Sequence, residues 1–225
     1  MHFGFSNSQV TALYVSGMRI RSPFIALAGF AIAGMATAQA PAENWIIGPH
    51  IKGRNYSVGM PYAMEESTAG PAFNFPNART GHVHYVTLQT GPLYGAREIV
   101  LRYRIDAARN ARFIAQEDGS AGTLGLAIHR AGDNWTAKGR YEAYRWYSPS
   151  TLALSPGVHT LKVSLDDPNW RGVLSSKSVT NPKGFASALV NAESVSMTFG
   201  GNSGRGHGVY ATEPAKFTLL DFRIR

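Results

Sequence analysis

The sequence contains no cysteine, which excludes a disulfide framework, a thiolate zinc site, a lipoprotein anchor and a cysteine nucleophile. Stability must therefore come from core burial. Acidic residues are few, 14 against 22 Lys and Arg, and the basic residues are scattered singly with no run of four. That pattern reads as a solubilising surface and not as an electrostatic footprint, so nucleic acid is not an expected partner. No segment after residue 40 is apolar enough for a span of about 20 residues, so no transmembrane segment is expected in the mature chain. Internal repeats, low-complexity blocks and long linkers are absent as well.

The N-terminus carries a patterned segment. Met18-Arg19-Ile20-Arg21 forms a positive region, residues 24–35 form an apolar run broken by small residues, and Ala38-Gln39-Ala40 matches a small-x-small cleavage site followed by Pro41. This is the layout of a signal peptide. The expectation is a leader over residues 1–40, a start at Met18, cleavage after Ala40, and a secreted or periplasmic chain over residues 41–225. Loss of the leader removes only Arg19 and Arg21, leaving 20 basic against 14 acidic residues and a net charge of +6.

With 24 glycines, 12 prolines and 10 tyrosines, the chain points to many short strands joined by turns. Short strands are expected over residues 44–47 and 55–58, within a loop-rich stretch that ends near Gly81. Beyond it the side chains alternate with a period of two, as a half-buried antiparallel strand requires. In residues 82–89 the expected common face is His82, His84, Val86 and Leu88. In residues 98–106 it is Ile99, Leu101, Tyr103 and Ile105, opposed by Glu98, Arg102, Arg104 and Asp106. Residues 111–117, 123–130, 140–148 and 158–165 continue the series. Val195, Met197 and Phe199 alternate with Ser194, Ser196 and Thr198, and Leu220, Phe222 and Ile224 are expected to face inward in the last strand. A single short helix is signalled by Asn181 as cap, Pro182 at the first position and the Phe185/Leu189 pair. The fold expected is an all-β, two-sheet antiparallel β-sandwich, or jelly roll, with one short helix. A closed up-and-down barrel is the alternative, disfavoured by the uneven loop lengths.

The layout from Gly81 to Arg225 resembles the galactose-binding-like jelly rolls that serve as carbohydrate-binding modules. The residues concerned are the strand after Gly95, the Pro156-Gly157 turn into residues 161–165, the Trp170 loop and the closing run Phe217-Thr218-Leu219-Leu220-Asp221-Phe222. The resemblance covers about two thirds of the chain and rests on layout. It implies a structural calcium ion held by an acidic residue near each terminus, here Glu43 and Asp221.

A sugar ring presents apolar C–H faces and a rim of hydroxyls, so aromatic platforms flanked by Asp, Asn, Glu or Arg suit it. Trp135, preceded by Asp133 and Asn134, and Trp170, after Asp166-Asp167-Pro168-Asn169, offer that combination in predicted loops. Tyr144 and Trp146 lie in the aromatic run Tyr141-Glu142-Ala143-Tyr144-Arg145-Trp146-Tyr147. On a strand, Tyr141, Arg145 and Tyr147 share one face and Glu142, Tyr144 and Trp146 the other. The run from Gly200 to Gly208 lacks the Gly-Lys-Ser/Thr and following helix of a phosphate loop. It reads as a flexible connection, with Arg205, His207 and Tyr210 as exposed candidate contacts.

Other chemistries find less. His82-Val83-His84 sets two imidazoles on one strand, as in metal-binding jelly rolls of the cupin type, but Leu88 and Gln89 stand where that pattern has glutamate. Pro156-Gly157-Val158-His159 departs from its spacing too. Two ligands without a third seldom hold a catalytic metal. No Gly-x-Ser-x-Gly elbow surrounds Ser203. Glu117, Asp118, Glu142, Asp166 and Asp167 could supply a carboxylate pair, which depends on spacing in three dimensions. The expected function is therefore an exported, non-catalytic carbohydrate-binding protein. The alternatives are a small polysaccharide-acting or metal-dependent enzyme on the same scaffold, and an envelope protein-interaction module.

Overall fold

The computed structural model describes residues 40–225; the expected leader and the start at Met18 lie outside the described residues. The strands are, in chain order, β1 (Trp45–Gly48), β2 (His50–Ile51), β3 (Arg54–Asn55), β4 (Ala72–Asn74) and β5 (Tyr85–Gln89). Next come β6 (Glu98–Ala107), β7 (Phe113–Ala115), β8 (Thr123–Arg130), β9 (Arg145–Tyr147) and β10 (Leu152–Ala153). The series closes with β11 (Gly157–Ser164), β12 (Arg171–Gly172), β13 (Ala192–Gly200), β14 (Val209–Ala211) and β15 (Ala215–Ile224). One α-helix, α1 (Pro182–Val190), precedes β13.

Two antiparallel sheets dominate. The larger runs β1-β5-β13-β8-β9-β12, with β10 also pairing β8; the smaller runs β11-β6-β15-β4. β14-β7 and β2-β3 form separate two-stranded ribbons. The chain is thus the all-β sandwich that alternation predicts. No helix among the described residues is long and apolar enough to cross a membrane.

The core lies between the sheets. The larger contributes Trp45, Ile47, Val86, Leu126, Met197 and Phe199; the smaller contributes Ile99, Leu101, Tyr103, Val163 and Phe217. Phe217 stacks between Phe73 and Tyr103, with centroids 5.0 Å away on each side. Asn181 caps α1 by accepting a hydrogen bond from the Gly184 N–H at 3.0 Å, and the helix sets Phe185 against Trp146 and Trp170. This plug closes one part of the core.

Two expected face assignments are corrected. Val83 and Val86 both enter the main core, so the alternation slips between them. His84 and Tyr85 consequently line the same outer hollow, and the histidines do not share a face with Val86 and Leu88. In β15 the register shifts between Leu219 and Asp221. Phe217 and Leu219 are buried before this bulge, while Phe222 and Ile224 pack on the core after it. Leu220 is the extra residue and does not belong to the inward series.

Candidate ligand-binding cleft

Along β13 the apolar residues Val195, Met197 and Phe199 face the core, and Ser194, Ser196 and Thr198 face the other way. A half-exposed strand would leave those hydroxyls in water, yet all three residues are buried. Two loops roof them. Residues 200–208 fold back over the sheet, with Thr198 Oγ1 donating to the Gly204 carbonyl at 2.8 Å and the Gly208 N–H donating to Phe199 O at 2.9 Å. The expected flexible connection is instead packed down. A Cβ at Gly206 would lie 2.4 Å from the Tyr85 ring, so only glycine lets the backbone sit there. The second roof is the loop from β8 to β9, which carries Trp135.

Asp133 organises that loop. Its Oδ1 accepts from the Trp135 N–H at 3.0 Å, and Trp135 itself has φ of 65°, a left-handed conformation that a bulky residue adopts only under constraint. The indole stands 4.1 Å from the Arg145 guanidinium and edge-on to Tyr85, with centroids 5.1 Å apart. Asp133 Oδ2 lies 3.4 Å from both Arg145 Nε and His129 Nδ1, with all three side chains about 5% exposed (4–6%). Arg145 Nε is not aligned for a hydrogen bond. Burial pushes the Asp133 carboxyl up, but the hydrogen bond from His129 and the Arg145 charge outweigh it and hold it below the usual carboxylate range. Burial likewise keeps the His129 imidazole below its ordinary value against the pull of Asp133.

The neutral His129 then donates from Nδ1 to Asp133 and accepts at Nε2 from Ser196 Oγ, 2.9 Å away. Thr87 Oγ1 completes the line at 2.7 Å from Ser196 Oγ. Hydroxyl, imidazole and carboxylate stand in the order of an acyl-transfer relay. Ser196, however, is fully buried in the middle of the sheet, where no substrate carbonyl can reach it. The line is a support for Trp135 and Arg145.

Above these groups lie two adjoining hollows with Pro49 and Trp135 in the wall of each. The first, about 320 Å³, includes His50, Tyr62, Gln89, Asp133 and Glu193. The second, about 270 Å³, includes Arg145, Tyr147, Arg205, His84 and His207. On its floor the Tyr85 and Tyr147 hydroxyls are 2.9 Å apart. Burial, with Tyr147 adding to it, pushes the Tyr85 phenol far above its ordinary value, so it stays protonated. Arg205 is tethered by Nη2 to the Val173 carbonyl and to Ser175 Oγ.

Of the residues expected to bind ligand, the structure brings Asp133, Trp135, Arg205 and His207 to this cleft. Asn134 sits beside it, its Oδ1 engaged by Thr136. Tyr144 and Tyr210 are elsewhere: Tyr144 packs under the Arg130 guanidinium at 4.4 Å, and Tyr210 lies on β14 near Asn77 and Arg79. Trp146 and Trp170 are corrected outright, since both are fully buried. Their indole N–H groups donate to the carbonyls of Ala143 and Ser164, so neither offers a ring to a ligand. The aromatic run is part strand only, because residues 139–143 form a 3-10 turn that takes Tyr141 and Tyr144 off the sheet.

Sequence reasoning missed Tyr85, His129, Arg145 and Tyr147 as site residues. The Arg145/Tyr147 face was visible in the alternation; the meeting of Tyr147 with Tyr85 62 residues away, and of His129 with Ser196 67 residues away, was not.

The two carboxylates that the resemblance assigns to a structural calcium ion are placed as follows. The Asp221 carboxylate is engaged by Arg223 at 2.6 Å, and Glu43 is exposed on a 3-10 turn. His82 and His84 are neighbours, with centroids 4.6 Å apart, but among the described residues no group of three or more His, Asp or Glu is placed to hold a metal. His84 Nδ1 is used by the Gly206 carbonyl at 2.8 Å. Glu117, from the carboxylates considered above, meets His207 at 3.8 Å. No family model matches the chain, and no curated protein matches it.

Proposed function

We propose that this protein is a non-catalytic carbohydrate-binding protein that receives a glycan in the cleft over the outer face of its larger sheet. The observation that carries this reading is Trp135. It is partly exposed, it belongs to both hollows, and its left-handed backbone, Asp133 and Arg145 hold it in place before any ligand arrives. Preorganised aromatic surface is what sugar stacking rewards. Around it, phenolic hydroxyls, guanidinium groups and imidazoles supply donors and acceptors for a hydroxyl rim. The leader read in residues 18–40 accords with an extracellular glycan, and kinship with the galactose-binding-like jelly rolls belongs to the same proposal. A serine-type acyl-transfer role finds less support, because the Ser196–His129–Asp133 line seen among the described residues is sealed.

A glycan array probed with the protein and with Trp135→Ala tests the proposal. Binding to a defined glycan set that the variant loses is the expected result. Silence across the array, or a Trp135→Ala variant that binds as the parent does, overturns it.

A further inference from the structure

We infer that the hollow around Arg205 receives an oxyanion borne on a sugar ring, the carboxylate of a uronate or a sulfate ester, so that the glycan is an acidic one. This rests on the carbohydrate reading above and adds the ligand's charge to it.

The two hollows differ in sign. Asp133 and Glu193 stand in the wall of the first. The second is lined by two arginines, two histidines and three tyrosines, and no carboxylate belongs to its wall. Arg145 is the more telling cation. Its side chain is 5% exposed, and the one counter-charge it meets among the described residues, Asp133, is shared with His129 and sits 3.4 Å from a misaligned Nε. A buried guanidinium whose Nε–H has no acceptor leaves a desolvated donor that a second anion can satisfy. Arg205 is built differently. Nη2 is committed to Val173 and Ser175, which fixes the plane of the fork and leaves Nε and Nη1 without a partner among the described residues. Both paired-donor edges of a guanidinium share Nη2, so with Nη2 engaged the Nε–H and Nη1–H groups of Arg205 each offer a single charge-assisted contact to an anion's oxygen. Tyr147 lines the hollow with both arginines, its ring 5.8 Å from Arg205, while its neighbour Trp146 is buried in the core. The hollow, about 270 Å³, lies just below the usual range of ligand pockets, which suits one substituted ring.

Uronate and sulfate share this chemistry, and the test separates them. Titration calorimetry on the full chain uses an oligogalacturonate, a sulfated galactan oligomer and a neutral galactan oligomer of equal length. At least one acidic oligomer is expected to bind about tenfold or more tighter than the neutral one, the worth of one charge-assisted contact, with affinity falling as salt rises. The acidic oligomer that binds identifies the source of the anion. Arg205→Gln is expected to lose about tenfold for that oligomer only, while Arg205→Lys keeps part of it. Matching melting temperatures of the two variants exclude misfolding. Equal affinity for neutral and acidic oligomers, with Arg205→Gln unchanged, overturns this inference and leaves the carbohydrate reading standing. No binding of any of the three oligomers also overturns this inference, while the glycan array alone decides the carbohydrate reading.

Discussion

The two faces of the larger sheet are both buried, and they are buried by opposite means. Inward, Val86, Leu126, Met197 and Phe199 meet the smaller sheet, and shape alone holds them. Outward, Thr87, Ser196, His129 and Thr198 lie under two loops, and each polar atom is held by a named partner. The inner face tolerates any apolar group that fills the space; the outer face demands particular donors and acceptors. That difference explains why the cleft sits where it does. A polar floor can be fixed rigidly and still present hydroxyls, guanidinium groups and imidazoles to a ligand.

The contrast can be broken most forcefully from the inside. Phe199→Ala opens a void beside Phe73, Phe75 and Phe217 and should cost about 3–5 kcal/mol; a urea midpoint close to the parent's would show that the sheets are not packed as described. The next effect belongs to the outer face alone. Burial, reinforced by the His82 charge, lowers His84 to about 4 against an ordinary 6.5. Between those values the unfolded chain takes a proton that the folded chain refuses, so stability falls as pH drops through that window, by roughly 3 kcal/mol at most. Burial acts on His129 in the same direction. Melting curves from pH 7 to pH 4 should show the decline, and His84→Gln should flatten part of it; an unchanged slope in the variant would remove His84 as the cause. Smallest is Ser196→Ala, which strands His129 Nε2 and Thr87 Oγ1 and should cost about 1–3 kcal/mol while also weakening glycan binding through Trp135. A variant with parental stability would mean that the hydroxyl line bears no structural weight.

Legibility followed the same division. β6 and β8 were readable because one run of alternating side chains belongs to one face, and the residues expected for β8 are those observed. The helix was readable from Asn181 and Pro182, since a cap acts within four residues. Failures came where the backbone departs from strict alternation. The slip between Val83 and Val86 reversed the histidines, the bulge at Leu220 displaced a core assignment, and the 3-10 turn over residues 139–143 removed two tyrosines from the sheet. Trp170 was misplaced for another reason. A tryptophan after Asp166-Asp167-Pro168-Asn169 looks like a loop platform, but the helix that covers it, through Phe185, lies beyond it in the chain.

Local sequence settled the period-two strands, the helix cap and the absence of any thiol chemistry, since each depends on neighbours within a few residues. Tertiary structure alone decided that Ser194, Ser196 and Thr198 would be roofed, that Trp135 would stand up and Trp170 would not, and that Arg145 and Arg205 would share one hollow. Those outcomes depend on chain segments tens of residues apart meeting on one face of a sheet, and no short stretch of sequence encodes which segment arrives there.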